Sequence, residues 1–96
     1  MMILVTYDVV TTDRQGRKRL RRLAKICQNY GIRVQNSVFE CVVDQTEYAQ
    51  MKIKMLDVIN DREDSLRIYH LGKNYQTKVE HFGTKETIAI EETLIF

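Results

Sequence analysis

The chain is poor in the residues that most small sites are built from. Its two histidines, His70 and His81, are isolated in sequence and lie far from the N-terminal acids, so they read as ordinary surface or strand-edge residues rather than general bases. Its two cysteines, Cys27 and Cys41, stand fourteen positions apart with no further Cys or His at ligand spacing. That excludes a zinc motif or a CxxC redox pair and leaves buried free thiols. Four glycines form no glycine-rich loop, so a small-molecule regulatory module has no feature in its favour. The apolar opening MMILVTYDVV has no basic leader and is interrupted by Thr6, Tyr7 and Asp8. Neither a signal peptide nor a membrane span is expected, and a cytoplasmic address follows. Proline is absent, which is unusual for a chain with several turns but carries no functional implication.

What is present is ordinary for a globular protein: 44% hydrophobic and 29% charged residues over a length of 96. No segment is depleted enough to be disordered. A chain of this size supports one core, so residues 1–96 are read as a single domain. It buries only roughly 60 to 70% of its unfolded surface, which makes pairing with a second copy a plausible source of stability. The formal net charge of +2 is unevenly spread. Residues 14–39 hold eight bases (Arg14, Arg17, Lys18, Arg19, Arg21, Arg22, Lys25 and Arg33) and no acid, whereas residues 49–96 are slightly acidic.

Residues 2–10 are β-branched and apolar on both alternating faces, the mark of a central strand with Asp8 near its C-terminal end. The loop TTDRQG offers Thr11, Thr12 and Asp13 as caps for a helix from about Arg14 to Tyr30, with Gly31 as its C′ residue. Leu20, Leu23, Ala24, Cys27 and Tyr30 form one stripe of that helix, and Arg14, Lys18, Arg21, Arg22 and Lys25 its opposite face. Residues 32–43 read as extended, with a turn or kink at Gln35, Asn36 and Ser37 that divides them into two paired strands. A second helix from about Gln45 to Asn60 puts Tyr48, Lys52, Met55, Leu56 and Ile59 on one face, with Lys52 snorkelling from its edge. DREDS is the break, Ser65 to Leu71 a strand, and Gly72 to Asn74 a turn. Lys78 to Phe82 and Thr87 to Phe96 are weaker strand candidates. The order predicts an α+β, ferredoxin-like two-layer sandwich with a C-terminal extension. The apolar end Thr93 to Phe96 needs a surface, on its own sheet or on the sheet edge of a partner.

Asp8 ends a hydrophobic strand, and a second acid, Asp13, follows in the loop. A strand-end carboxylate suits a hard cation, because Mg²⁺ takes one or two carboxylates and completes its shell with water and phosphate oxygens. Residue position alone favours the other use of such an acid, a turn in which it caps loop amides, because strand-end acids mark sites only weakly. One Asp holds a catalytic metal poorly. Two copies related by a two-fold axis would double the carboxylates, making dimerisation part of the chemistry. The run from Arg14 to Lys25 has no interleaved acid for i,i+4 pairing, so it is read as a phosphate-binding surface rather than a salt-bridged face. Contacts of that kind follow a duplex backbone without base specificity. Phe39 reads as core and Ser37 as a turn hydroxyl.

Together, ILVTYDVV at 3–10, DRQGRKRLRRLAK at 13–25, YGIRVQNSVFEC at 30–41, DSLRIYHLG at 64–72 and LIF at 94–96 resemble the CRISPR-associated protein 2 family over nearly the whole chain. GKNYQTKVEHFG at 72–83 looks most like its subtype I-C branch. The resemblance implies a ferredoxin-like homodimer whose C-terminal strand packs on the partner. It also implies a metal-dependent phosphodiesterase, acting on RNA or duplex DNA, with Asp8 of both subunits facing one Mg²⁺ and Mn²⁺ as a substitute. Tyr7, Ser37 and Phe39 are implied as further catalytic positions, and Arg17 and Arg33 as supporting ones. With Arg14, Lys18 and Arg21, these two arginines make up the expected nucleic-acid contacts. The family's dimer bridges the CRISPR-associated protein 1 integrase in spacer acquisition, where cleavage is generally regarded as dispensable.

Overall fold

A computed structural model of the chain describes residues 1–72 and 77–84. The first strand, β1 (Met2–Asp8), alternates as the pattern requires: Ile3, Val5 and Tyr7 are buried while Met2 and Asp8 are exposed. Helix α1 (Arg14–Gln28) starts at Asp13, whose carboxylate accepts the Gly16 amide at 2.8 Å, and buries Gly16, Leu23 and Cys27. It ends two residues before the expected Tyr30. The Asn29 and Tyr30 amides fall back on the Ile26 and Cys27 carbonyls, tightening the last turn. Gly31 is therefore not a left-handed C′ cap but the first residue of β2 (Gly31–Gln35). A glycine is needed there because a Cβ would lie 2.2 Å from the Glu40 carbonyl oxygen on the neighbouring strand.

Strand β3 (Val38–Val42) follows β2 through the expected turn, at Asn36 and Ser37, and the β2–β3 register also shifts between Arg33 and Gln35, a bulge that the sequence does not predict. Helix α2 (Gln45–Val58) opens with a capping box. The Asp44 carboxylate accepts the Glu47 amide at 2.7 Å, and the Glu47 side chain accepts the Asp44 amide at 3.0 Å. Its buried residues are Met51, Met55 and Val58, flanked by Tyr48 and Ile59, while Leu56 is exposed. The inward face is thus rotated from the one the sequence predicts. Strands β4 (Ser65–Leu71) and β5 (Thr77–Gly83) complete an antiparallel sheet of order β2-β3-β1-β4-β5.

Without β5 this is the ferredoxin-like order, and the α+β two-layer expectation holds. The core lies between sheet and helices, with Ile3, Val5, Leu23, Phe39, Met51, Met55, Leu66 and Ile68 fully buried. Each such side chain contributes about 1.5 to 3 kcal/mol by leaving water. Cys27 and Cys41 are buried free thiols as expected, and burial pushes them up to about 12 and about 11. The second C-terminal strand candidate, Thr87 to Phe96, and most of the turn after Gly72 lie outside the described residues. No helix among the described residues is long and apolar enough to cross a membrane.

One polar cluster ties α2 to the sheet. Glu80 of β5 accepts from Lys52 at 2.8 Å and from Tyr48, and lies 2.5 Å from His70 Nε2. Burial raises the Glu80 carboxyl, but these partners outweigh it and hold it down to about 2. The same burial, with the Glu80 carboxylate as acceptor, takes the Tyr48 phenol well above its ordinary value. Lys52 snorkels as expected, but toward a carboxylate rather than water.

Candidate nucleic-acid and metal site

Asp8 is the last residue of β1, opposite Ser65 of β4. One step of the pleat separates it from Tyr7, so its carboxylate stands on the sheet face away from the helices, where it is exposed. Asp13, the other N-terminal acid, is occupied in capping α1. Among the described residues no three His, Cys, Asp or Glu side chains converge on one point. One chain therefore offers a hard cation the exposed Asp8 carboxylate without a cluster of three or more such ligands around it among the described residues. That donor set fits Mg²⁺ as one half of a pair and falls short of a closed cage.

The other expected site residues divide across the sheet. Tyr7 and Phe39 face the helices, both buried, with ring centroids 6.2 Å apart and planes 22° from parallel. The exposed Arg33 lies opposite Phe39 in the ladder and sets its guanidinium carbon 5.2 Å from the Phe39 ring centroid. The Tyr7 hydroxyl is buried with no hydrogen-bond partner among the described residues. Burial pushes its pKa up, Cys27 adds to that, and Arg33 opposes it without completing a hydrogen bond. Tyr7 is therefore a neutral phenol at physiological pH. Ser37, in the β2–β3 turn, accepts the Tyr7 amide on its backbone carbonyl at 3.1 Å, so the hairpin braces the strand end beside Asp8.

Arg14, Arg17, Lys18, Arg21, Arg22 and Lys25 are all exposed along α1, as the periodicity requires. Arg17 reaches the Thr11 carbonyl at 3.4 Å, which joins the helix to the loop leaving Asp8. Arg19 departs from this row: it pairs with Asp64 at 2.8 Å and Glu63 at 3.1 Å. Asp64 has no exposed surface, and it also accepts the amides of Val10 at 3.1 Å and Asn60 at 2.9 Å. Burial raises its pKa, but Arg19 and the two amides prevail and hold it below the ordinary carboxylate value. Sequence reasoning missed this residue, because DREDS carries the composition of a plain break and its partners lie 45 and 54 positions away.

The histidines are engaged rather than superficial. Arg67, buried in β4, sets Nε and Nη2 at 3.2 and 3.0 Å from His81 Nδ1. Because a guanidinium only donates, Nδ1 must accept, which leaves Nε2–H to donate to the Gly83 carbonyl at 3.3 Å. Burial first, and Arg67 second, lower the His81 pKa and keep it neutral. His70 belongs to the Glu80 cluster described above.

A family model described as CRISPR associated protein Cas2 matches residues 1–79. The chain is 57% identical to the CRISPR-associated endonuclease Cas2 of Halalkalibacterium halodurans, over 100% of both chains. It is 55% identical to the CRISPR-associated endoribonuclease Cas2 of Chlorobaculum tepidum, over 99% of both. Among solved structures, the crystal structure of Streptococcus pyogenes Cas2 at pH 6.5 matches with a TM-score of 0.71 and 55% identity. The match covers 79% of this chain and 92% of that one.

Proposed function

This chain belongs to the CRISPR-associated protein Cas2 family, and from that premise we propose that it is a cytoplasmic CRISPR adaptation protein. It works as a homodimer that binds duplex nucleic acid and bridges the CRISPR-associated protein 1 integrase in spacer acquisition. It also carries a Mg²⁺-dependent phosphodiester hydrolase site centred on Asp8, for which Mn²⁺ can substitute. The names endonuclease and endoribonuclease borne by its relatives support the hydrolytic part, on DNA or RNA. The observation that carries the reading is the position of Asp8: exposed, at a strand end, on the open face of a two-layer sandwich.

Along each strand the open face alternates with the core face, and it presents the exposed apolar residues Met2, Ile32, Val42 and Leu71. A second copy meeting that face about a two-fold axis would cover apolar surface and turn one Asp8 toward the other. A bound Mg²⁺ would polarise a phosphoryl oxygen and lower the pKa of a coordinated water. Asp8 of each copy would hold it. Tyr7, Phe39 and Ser37 keep the end of β1 against the β2–β3 hairpin, so the carboxylate is presented from rigid backbone rather than from a loop. Arg14, Arg17, Lys18 and Arg21 hold the phosphate backbone, with Arg33 at the hairpin edge.

The experiment is cleavage of RNA and duplex DNA by purified Asp8→Asn protein. Loss of Mg²⁺-supported cleavage, with circular dichroism and dimer mass unchanged, is the expected outcome; undiminished cleavage would sink the enzymatic reading. A second reading, a catalytically silent adaptor, is favoured because no three His, Cys, Asp or Glu side chains converge on one point among the described residues. On that reading Asp8→Asn supports spacer acquisition at the wild-type level.

A further inference from the structure

The direction of a strand-end carboxylate depends on what holds the chain immediately after it. Beyond Asp8 the chain runs through the buried Val9 to Val10 and then into α1. Val10 is held on both sides. Its amide donates to Asp64 Oδ1 at 3.1 Å. Its carbonyl oxygen packs so closely on the first turn of α1 that a Cβ on Gly16 would sit 1.8 Å from it.

Asp64 is built to keep that grip. Its carboxylate has no solvent exposure and takes four donors: Val10 N and Arg19 Nη2 on Oδ1, Arg19 Nε and Asn60 N on Oδ2. Its backbone is fastened as well, its amide to the Asn60 carbonyl at 2.7 Å and its carbonyl to the Thr84 amide at 3.1 Å. The next residue, Ser65, is the ladder partner of Asp8. One side chain thus joins the loop behind Asp8, the helix bearing the basic face, and the start of the strand beside Asp8.

We propose that Asp64, clasped by Arg19, is the positioning residue of the Asp8 site, fixing the loop at Val10 so that the Asp8 carboxylate and the basic face of α1 address the same phosphate. The proposal rests on the reading of Asp8 as a metal-binding carboxylate. A carboxylate is required at position 64 because each of its four partners donates to it. The amide of an Asn would turn an NH₂ toward one of these donors and forfeit at least one hydrogen bond. Partners that orient a metal-binding group typically change metal affinity or activity 10- to 100-fold when removed.

The test compares the full-length wild type with Asp64→Asn, Arg19→Lys and Asp8→Asn in three measurements. These are Val10 amide hydrogen exchange by NMR, Mn²⁺ binding by calorimetry, and cleavage kinetics. In Asp64→Asn the Val10 amide exchanges faster, Mn²⁺ affinity and kcat each fall about 10-fold, and KM for nucleic acid and the dimer mass do not move. Arg19→Lys keeps the charge but loses the fork, so it gives a smaller change in the same direction and carries the comparison if Asp64→Asn does not fold. Faster exchange at Val10 with wild-type Mn²⁺ affinity and kcat would overturn the proposal, leaving Asp64 purely structural. Wild-type Mn²⁺ binding and cleavage in Asp8→Asn would overturn the underlying reading and this proposal with it. Loss in Asp8→Asn alone overturns the positioning role only.

Discussion

Tyr7 and Asp8 are neighbours in sequence, and one step of the β pleat sends them to opposite faces of the sheet. Asp8 goes to solvent, and Tyr7 goes into the core against Phe39. The Tyr7 hydroxyl is the one buried side-chain polar atom without a hydrogen bond among the described residues. Leaving such a group in the core costs about 1 to 3 kcal/mol. Tyr7→Phe removes the oxygen and keeps the ring, so urea unfolding should show a protein about 1 kcal/mol more stable. A loss of stability would show that the hydroxyl has a partner, and a loss of cleavage would give the phenol a part in the chemistry.

At the same scale the sequence disclosed unequal amounts of the site. The exposed strand-end position of Asp8 was legible as a local pattern, but its proposed role as a metal ligand came from the two-fold argument and the family resemblance; the exposed bases of α1 were legible because their spacing is helical. Asp64 was not, since its meaning comes from Val10 and Arg19, which only the packed fold brings within hydrogen-bond distance. Gly31 was misread for a related reason: a glycine after a helix suggests a cap, whereas here the approach of Glu40 decides.

At the scale of elements, α1 and α2 differ in how fully their sequences determine which face turns inward. In α1 apolar and basic residues segregate cleanly, and the buried face is the one expected. In α2 Met51, Ile53, Met55, Leu56 and Val58 surround the helix, so periodicity alone does not choose a side. The sheet chooses: Met51, Met55 and Val58 are buried while Ile53 and Leu56 stay exposed.

The basic face of α1 gives the binding prediction. Arg14→Glu with Lys18→Glu should weaken duplex binding strongly at low salt. It should also flatten the dependence of log affinity on log salt by roughly 0.9 for each phosphate that the helix no longer neutralises. An unchanged salt slope, measured by fluorescence anisotropy, would remove α1 from the interface.

The cluster that joins α2 to β5 gives the pH prediction. Glu80 has a folded value of about 2, below its ordinary 4.5, so its ion pair stabilises the fold above pH 4.5 and is lost as pH falls toward 2. Glu80→Gln should therefore reduce the acid sensitivity of thermal unfolding within that window. An acid profile identical to wild type would contradict the assignment.

At the scale of the whole molecule, a two-layer sandwich covers one face of its sheet with helices and leaves the other to be covered by something else. Here the open face carries exposed Met2, Ile32, Val42 and Leu71 together with Asp8. The ferredoxin-like order was legible from the alternation of strands and helices. Pairing of copies across this face was legible only as a need, since one chain's sequence does not specify which surface of a second copy it meets. The dimer is thus the functional unit proposed, with one Asp8 from each copy serving one ion. Calorimetric titration of the wild-type dimer with Mn²⁺, set beside Asp8→Asn, measures this directly. The prediction is one ion per two chains in the wild type and none in Asp8→Asn; one ion per chain, or binding that survives the substitution, would contradict it.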